Sequence, residues 1–274
     1  MAQSASVIVA SHNIMHGLRL RRLVAEYRAL RKRSGLDVLC IQENIPLARG
    51  SYASQIADQL GPGYEAVWDP ARPSVAMVFD CARFDLRSVE LLALSRSRSV
   101  SWIDRTYLQG GIVTPRFAQV VTFAPADGDA PVSIVNFHLQ TAGTGAAGTQ
   151  MRRRQIDEIS TALEHSGRDR RVVACGDTNA FCWPWQSQTQ TLQHILEPLT
   201  RIGARDPGVR PTHFFARQNE PKLTHRLGVL LGRAGLDLPM RYDVICTNLP
   251  VSRRGQAATP DSDHDVVWAA LDPE

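Results

Sequence analysis

The chain has 274 residues, 43% of them hydrophobic and 21% charged, a composition that indicates an ordinary globular protein and excludes a disordered one. This length fits one large domain or two small ones, and because no stretch is long and polar enough to serve as a free linker, we predict a single domain over residues 1–274. The formal net charge of +4 at pH 7 indicates only a mild attraction for polyanions.

The first eighty or so residues alternate between short β-branched runs and helical patterns. Strands are predicted at 7–10, 37–41 and 75–79, where apolar residues form short uninterrupted runs. Apolar side chains recur at helical spacing from Leu18 to Leu30, and a shorter helix is predicted at 52–60. The chain is therefore expected to open with a β-α-β unit.

The middle of the chain has a different pattern. Strands at 117–123 and 132–137 are separated only by a turn rich in Pro, Asp and Gly, which predicts an antiparallel hairpin and hence a mixed sheet. The remaining predictions, in chain order, are a helix at 151–163, a strand at 171–175, a long irregular region over 181–240, and strands at 242–247 and 266–271.

Cysteine usage and the first residues bear on the compartment. The five cysteines form no CxxC pair and lie mostly in apolar runs, so we expect buried free thiols in a reducing compartment. The first ten residues lack the basic start and the apolar core of a signal peptide, and no stretch approaches about 18 apolar residues. We therefore expect a cytoplasmic protein without a transmembrane segment, and the sequence carries no signal for its oligomeric state.

Basic residues are concentrated in four short clusters. Such runs are typical of solvated helix faces, which is the interpretation we favour, and the alternative is a surface that attracts a polyanion such as nucleic acid. The clusters are Arg19, Arg21 and Arg22; Arg31, Lys32 and Arg33; Arg152 to Arg154; and Arg168, Arg170 and Arg171.

Polar residues follow the predicted strands at the points where those strands end. Asn13 comes after the first strand, Glu43 after the second, His138 after the hairpin and Asp177 after the strand at 171–175. Loops at strand ends are free to carry polar groups, so functional sites commonly form there. We therefore expect a functional site at these strand ends.

Glu43 is suited to metal binding. A carboxylate at the edge of an apolar strand is costly to desolvate unless a hard cation holds it ionised. A helix cap or an ordinary ion pair is the structural alternative for this residue taken alone.

Two further motifs offer groups for proton transfer and for contact with an oxyanion. In Gly176-Asp177-Thr178-Asn179 the carboxylate could orient or deprotonate water and the amide could donate to an oxyanion, and an Asx turn is the alternative. In Asn136-Phe137-His138-Leu139 the amide and the imidazole point to one face of a strand while the apolar residues enter the core. A satisfied structural histidine is the alternative for His138.

The last motif places a carboxylate beside an imidazole. In Ser262-Asp263-His264-Asp265, Asp263 is suited to a metal and His264 to proton transfer or charge stabilisation, although Asp–His neighbours also occur in ordinary loops. Asp243, which precedes another strand, could fix the tautomer of His264 by a hydrogen bond.

Taken in order, these motifs resemble those of the endonuclease/exonuclease/phosphatase superfamily, whose members include pancreatic-type deoxyribonucleases, abasic-site endonucleases, inositol polyphosphate phosphatases, neutral sphingomyelinases and deadenylases. The resemblance runs from Ser11 to Leu271, nearly the whole chain. It implies an α/β (α+β) fold, a four-layer sandwich of two packed mixed β-sheets flanked by helices. The resemblance also implies a site at one end of the sheets and a bound Mg²⁺ or Mn²⁺ ion.

The resemblance implies a role for each site residue. The roles are metal binding for Glu43, Asp263 and Asn13; water activation for Asp177; contact with the scissile phosphate for Asn179 and His138; charge stabilisation or proton transfer for His264; and orientation of His264 for Asp243.

Substrate contacts are predicted for four more residues. Arg116 begins a strand and matches an arginine position in many relatives, and it could pair with phosphate or with a catalytic carboxylate. Thr212 is a weaker candidate of the same kind, and Asn136 shares a strand face with His138. Trp183 belongs to an aromatic loop at 181–185 that could stack on a base, a sugar or a lipid, although we favour packing of this loop on the core. The basic segment 217–240 is a second candidate specificity element, with the covering of a sheet edge as the alternative.

Two departures from the family pattern bear on the subfamily. Ile14 and Met15 follow Asn13 where some nuclease branches place an aspartate, and the motif at 262–266 lacks the proline that many relatives have. Neither change removes a residue that the mechanism needs.

We therefore predict an enzyme, a divalent-metal-dependent phosphoester hydrolase in which activated water attacks phosphorus in line. A phosphodiesterase or nuclease acting on nucleic acid is the leading interpretation, because of the basic charge and the many nucleases in the superfamily. The alternatives are a phosphatase or phosphodiesterase for a small molecule (a nucleotide, a sugar or inositol phosphate, a phospholipid head group) and a catalytically inactive binding module. Since four carboxylates crowd the predicted site, we expect removal of the metal to destabilise the protein at neutral pH.

Overall fold

The structure, a computed structural model, describes residues 6–17, 19–96, 115–141, 145–168, 170–182, 186–206, 208, 210–214, 240–259 and 262–272. The strands are β1 (Val7–Asn13), β2 (Val38–Gln42), β3 (Tyr64–Trp68), β4 (Val75–Asp80), β5 (Phe84–Leu94), β6 (Arg116–Pro125), β7 (Val132–His138), β8 (Val172–Asp177), β9 (Asp243–Thr247), β10 (Val251–Ala257) and β11 (Val266–Leu271). The α-helices within these ranges are α1 (Leu20–Ser34), α2 (Tyr52–Leu60), α3 (Gly145–His165) and α4 (Gln188–Leu196).

The strands form two mixed sheets. The six-stranded sheet has the order β10-β11-β1-β2-β4-β3, and the five-stranded sheet has the order β5-β6-β7-β8-β9. Among the described strands, each sheet contains one parallel pair, β1 with β2 and β7 with β8, and the other neighbours are antiparallel. The predicted β-α-β opening and the hairpin of β6 and β7 are both confirmed.

Three apolar cores separate four layers. The two sheets pack face to face around residues such as Phe123. Tyr27 of α1 and Ile56 of α2 cover the outer face of the six-stranded sheet. Ile159 of α3 and Ile195 of α4 cover the outer face of the five-stranded sheet. Because burial of each such side chain contributes about 1.5–3 kcal/mol, these cores hold the layers together and confirm the predicted four-layer sandwich.

The strands that the sequence analysis did not predict share a position in the fold. β3 and β10 are the edge strands of the six-stranded sheet, and β5 is an edge strand of the other sheet. An edge strand is covered on fewer sides, so its sequence has a weaker apolar pattern, and β10 reads VSRRGQA.

The prediction of an irregular region over 181–240 is wrong for 188–202, which form α4 and a following 3₁₀ turn.

The cysteines are free, as predicted. Cys40, Cys175, Cys182 and Cys246 are buried, whereas Cys81 lies in an exposed turn, so the expectation of burial is wrong for that one. None of the helices in the described part of the chain combines the length and the apolar run that a bilayer crossing requires.

Candidate active site

The two parallel strand pairs end at the same place. In the six-stranded sheet β1 ends at Asn13 beside the end of β2, which Glu43 follows directly. In the five-stranded sheet His138 and Asp177 end β7 and β8 and pair with each other across the ladder. Asn13 Nδ2 donates to Glu43 Oε1 at 3.2 Å and to Asp177 Oδ2 at 2.9 Å. The carboxyl ends of both parallel pairs therefore meet across the sandwich, where the sequence predicted a site.

β7 and β8 approach each other closely just before their polar ends. Gly176 has φ +152°, and a Cβ atom at this position would lie 1.9 Å from the carbonyl oxygen of Phe137. A residue with a side chain cannot occupy this position unless the backbone moves. Gly176 thereby sets the separation of the two strands that carry His138 and Asp177.

Asp177 is buried and surrounded by donors. Its Oδ1 accepts the Asn179 N–H at 2.7 Å, and the Nε2 atoms of His138 and His264 lie 3.6 and 3.9 Å from Oδ2. Burial alone would raise the pKa of Asp177, but the two histidines and the hydrogen bonds from Asn13 and Asn179 outweigh burial and hold it below its usual range. The carboxylate is therefore ionised at neutral pH and faces the shared end of the sheets.

Glu43 lies in a less compensated environment. Its backbone is left-handed, with φ 60°, a conformation that is uncommon for residues other than glycine and is often found at functional sites. Oε2 lies 3.4 Å from His16 Nε2. Burial raises the pKa of Glu43, His16 opposes this rise and the Asp263 carboxylate adds to it. A cation next to Glu43 would therefore stabilise its ionised carboxylate.

His264 is held between carboxylates. Its Nδ1 lies 2.8 Å from Asp243 Oδ2, and its Nε2 lies 3.9 Å from both Asp177 Oδ2 and Asp263 Oδ1. Burial alone would lower the pKa of His264, but the three carboxylates outweigh burial and raise it well above its usual value. The structure therefore holds an oriented imidazolium next to Asp177, and Asp243 is the residue that orients it.

Thr212 positions the aspartate that orients His264. Its Oγ1 accepts the backbone N–H groups of Tyr242 at 3.1 Å and Asp243 at 3.0 Å, and its carbonyl accepts the Asp265 N–H at 2.8 Å. The hydroxyl is buried and already engaged with the backbone, so the geometry gives Thr212 a positioning role where the sequence analysis expected a substrate contact.

Arg116 lies against His138. Its Nη1 is 3.2 Å from His138 Nδ1, and its Nη2 donates to Thr141 Oγ1 at 2.6 Å. Burial, and after it the nearby guanidinium of Arg116, lower the pKa of His138 to about 3. His138 is thus neutral, with Nδ1 accepting from Arg116 and the Nε2–H directed toward Asp177.

Beneath the site, Gln42 and Asn136 join the two sheets. Gln42 Nε2 donates to Asn136 Oδ1 at 2.6 Å, and Asn136 Nδ2 donates to the carbonyls of Ile41 at 2.9 Å and Ala76 at 2.8 Å. Both side chains are fully buried. The Asn136 amide therefore hydrogen-bonds to the opposite sheet beneath the site. It does not face the substrate, as the sequence analysis expected it to.

Asn179 closes the loop after β8. It has φ 48°, its backbone N–H bonds to Asp177, and its Nδ2 donates to the carbonyl of Leu139 at 2.9 Å. This amide ties the ends of β7 and β8 together. A direct contact between Asn179 and phosphate stays a prediction.

The donor atoms at the site fit a hard divalent cation. Glu43 and Asp263 are carboxylates close enough to repel each other, and carboxylate oxygens are the ligands that Mg²⁺ and Mn²⁺ prefer. Asn13 Oδ1 accepts the Met15 N–H at 3.1 Å while its Nδ2 joins Glu43 to Asp177, so its place as a direct ligand stays a prediction. The residues present therefore fit the predicted metal, and Glu43 and Asp263 stay its predicted ligands.

His12 is a buried histidine that the sequence analysis missed. Its Nδ1 lies 2.6 Å from the Tyr27 hydroxyl, and its Nε2 lies 3.2 Å from the carbonyl oxygen of His264. Burial lowers the pKa of His12 to about 3, so the ring is neutral. It links α1 to the segment that carries His264, and its position next to Asn13 was the only signal in the sequence.

His213 was also missed. Its Nε2 lies 3.4 Å from Asp263 Oδ2, and its ring stacks on Tyr242 with centroids 4.6 Å apart.

Arg152 also differs from the prediction, because it belongs to a cluster expected to be solvated. Its side chain is buried and donates to the carbonyls of Gln140 and Thr141.

The predicted specificity elements are only partly described. Phe181 packs against the core beside α3 and α4, in agreement with an inward-facing loop. Trp183 and the segment 217–239 lie outside the described residues.

Comparison with known proteins gives a consistent result. The model of the Endonuclease/Exonuclease/phosphatase family matches residues 10–264. No curated protein matches the chain. Among solved structures, a family protein from Bacteroides thetaiotaomicron is 17% identical with a TM-score of 0.62, and the match covers 97% of each chain.

Two further solved structures are similar over their whole length. TDP2 of D. rerio, complexed with a single-stranded DNA product, is 12% identical with a TM-score of 0.64, and the match covers 97% of this chain and 98% of TDP2. A mannosyl-6-phosphatase of Bacteroides thetaiotaomicron is 14% identical with a TM-score of 0.61, and the match covers 97% of this chain and 99% of the phosphatase. At these identities the likeness shows the fold.

Proposed function

Since the chain belongs to the endonuclease/exonuclease/phosphatase family, whose members are phosphoester hydrolases, we propose that it is a divalent-metal-dependent phosphodiesterase that hydrolyses nucleic acid. The observation that carries this proposal is the position of Asp177. An ionised carboxylate there faces a neutral His138 and a charged His264, with Glu43 and Asp263 beside them. These are the groups that in-line displacement at phosphorus needs.

In the proposed mechanism, Asp177 orients a water molecule toward phosphorus. As the new O–P bond forms, Asp177 accepts the proton of that water, and the bond from phosphorus to the leaving oxygen breaks. Donation from the Nε2–H of His138 and the charge of His264 stabilise the negative charge that develops on the phosphoryl oxygens. The leaving oxygen takes its proton from the His264 imidazolium or from solvent.

Glu43 and Asp263 would hold the cation, with Asn13 next to them. When bound, a divalent ion offsets the charge on the phosphoryl and leaving oxygens. Four acidic side chains lie at this site, namely Glu43, Asp177, Asp243 and Asp263. The ion would therefore also relieve the repulsion among these carboxylates.

Nucleic acid as the substrate is supported by charge and by likeness. The sequence pI is about 9.0, which favours association with a polyanion. TDP2, with the same fold, was crystallised with a DNA product. The free cysteines further support a reducing compartment such as the cytoplasm.

A small-molecule phosphomonoester is the second candidate. It is favoured by the likeness to the mannosyl-6-phosphatase, which has the same fold at a similar identity. The two candidates differ in the expected salt dependence of substrate binding. Binding of a small monoester should depend far less on salt concentration than binding of a nucleic acid.

A substrate panel with the full chain tests both candidates. The panel comprises single- and double-stranded DNA, RNA, nucleotides, sugar phosphates and inositol phosphates, each with Mg²⁺, Mn²⁺ or chelator, and with Asp177→Asn as the inactive control. We expect cleavage of an oligonucleotide that needs metal and Asp177. Hydrolysis of monoesters alone would instead support the second candidate, and an inert protein would refute both.

A further inference from the structure

A second group of potential metal ligands lies beside the candidate active site. His213, Asp263 and His264 each offer one ligand atom, these atoms lie within 4.8 Å of one another, and all three residues are buried. His213 Nε2 is 3.4 Å from Asp263 Oδ2, and His264 Nε2 is 3.9 Å from Asp263 Oδ1. Two of the three donors are therefore imidazole nitrogens, and the third, Asp263, is shared with the carboxylates assigned above to Mg²⁺ or Mn²⁺.

The backbone fixes the two histidines opposite each other. His213 and His264 pair in an isolated antiparallel bridge. The bonds from Phe214 N to Asp263 O and from Asp265 N to Thr212 O, both 2.8 Å, flank this pair. Residues directly opposite in such pairs have Cβ atoms about 4.5–5.5 Å apart and point to the same side. The ring centroids accordingly lie 4.7 Å apart.

The distances suit a single ion. Metal–ligand bonds of about 2.0–2.2 Å in a tetrahedral site place neighbouring ligand atoms about 3.4 Å apart. His213 Nε2 already has this separation from Asp263 Oδ2, and His264 Nε2 lies 3.9 Å from the other oxygen, Oδ1, so rotation of the Asp263 carboxylate brings one oxygen toward both rings. Small rotations of the side chains would therefore complete three ligands around one ion.

The surroundings also orient the ligand atoms. Asp243 holds Nδ1 of His264, which leaves Nε2 directed at the cluster, the arrangement of a carboxylate–histidine–metal triad. The ring of Tyr242 stacks on His213. Asp177, 3.9 Å from His264 Nε2, adds negative charge that favours a cation there.

We propose that His213, Asp263 and His264 bind a transition-metal ion such as Zn²⁺, and that this ion inhibits the hydrolase by occupying His264 Nε2. Two imidazoles and one carboxylate suit Zn²⁺ or Co²⁺, whereas Mg²⁺ prefers oxygen ligands. Binding of the ion stands on the geometry of these three residues. The inhibition rests on the proposed function, because it requires His264 to act in hydrolysis.

Titration with Co²⁺ tests the site without any enzymatic reaction. The titration is run without Mg²⁺, because Asp263 belongs to both ligand sets, and the visible d–d absorption of Co²⁺ reports binding to the histidines. Zn²⁺ is then added to displace the Co²⁺. His213→Gln keeps an N–H near Asp263 but removes the imidazole, and His165→Gln removes an exposed imidazole on α3 as the matched control. We expect the first variant to lower Co²⁺ affinity at least about tenfold and the second to leave it unchanged.

Equal Co²⁺ affinity in wild type and His213→Gln, with both proteins folded by circular dichroism, would overturn the site. For inhibition, activity with and without Zn²⁺ is compared within each protein, and we expect His213→Gln to need at least about tenfold more Zn²⁺ for half-inhibition. Unchanged Zn²⁺ sensitivity would overturn the inhibition. Co²⁺ binding through His213 in a protein that hydrolyses no phosphoester would refute only the proposed function, and active enzyme with Co²⁺ binding independent of His213 would refute only this inference.

Discussion

The two sheets contribute different chemistry to the candidate site. The six-stranded sheet carries the residues suited to a cation: Asn13 and Glu43 at the ends of β1 and β2, and Asp263 just before β11. The five-stranded sheet carries His138 and Asp177, the groups suited to handling water and the phosphate, at the ends of β7 and β8.

Two contacts cross this division. Asn13 joins Glu43 of one sheet to Asp177 of the other, and His264 of the first sheet is oriented by Asp243 of the second. Neither half is a site by itself, because the proposed cation ligands and the proposed base become neighbours only when the sheets are packed. The relative position of the sheets is therefore as important to the chemistry as any one side chain.

The largest effect is expected from removing the base of the five-stranded half. Asp177→Asn keeps the shape and much of the hydrogen bonding but cannot accept a proton, so hydrolysis should fall about 10²–10⁴-fold. Steady-state rates at saturating metal measure this loss. Metal-induced stabilisation should persist in this variant, and its disappearance would show that the division between the halves is wrong.

The next effect tests how the five-stranded half is held together. Gly176→Ala places a methyl group against the Phe137 carbonyl and should destabilise the protein by about 3 kcal/mol. Gly128→Ala is the matched control, since Gly128 also has positive φ (+88°) but nothing within 4 Å of the added Cβ. Denaturant unfolding compares the two variants, and equal losses would mean that backbone conformation, not the close approach of the strands, sets the cost.

Glu43→Gln addresses the six-stranded half. In wild type, Mg²⁺ at about a hundred times its dissociation constant should stabilise the fold by about 2.7 kcal/mol, and the variant should lose most of this gain. Because burial raises the pKa of Glu43, the ionised carboxylate is unfavourable in the folded protein at neutral pH. In chelator the variant should therefore melt above wild type, and a lower melting temperature would contradict this account.

The smallest effect concerns the connection between the halves. Asn136→Leu removes the donor to the Ile41 and Ala76 carbonyls and leaves Gln42 Nε2 with Ser11 Oγ alone, at a cost of about 1–3 kcal/mol. If Asn136 positions the sheets and does not contact substrate, kcat should fall while KM changes little. A rise in KM alone would restore the substrate contact that the sequence suggested.

The sequence was informative where the position of a residue depends on a single strand or helix. Central strands such as β2 and β8 are buried on both faces, so their apolar runs identified them, and the polar residue after each run identified the candidate site. Edge strands β3, β5 and β10 were missed, because polar residues interrupt β3 and β10 and all of β5 except its last four residues.

The sequence was uninformative where a role depends on a distant partner. Asn136 and Thr212 look like exposed polar groups until the opposite sheet and the start of β9 are placed against them. His12 and His213 depend on His264, which lies 252 residues from His12 in the chain. Local pattern cannot report contacts of this kind, because the partners share no segment.

The position of β1 has a consequence for biosynthesis. β1 is the first of the described strands, yet it lies between β2 and β11, the last of them. During translation, β1 can pair with β2 early but must wait for almost the entire chain before β11 arrives with Asp263 and His264. A ribosome-bound chain from which β11 has not yet emerged therefore has no complete site. If the protein is the nuclease proposed above, a nascent molecule should be unable to cut the nucleic acid of its own ribosome.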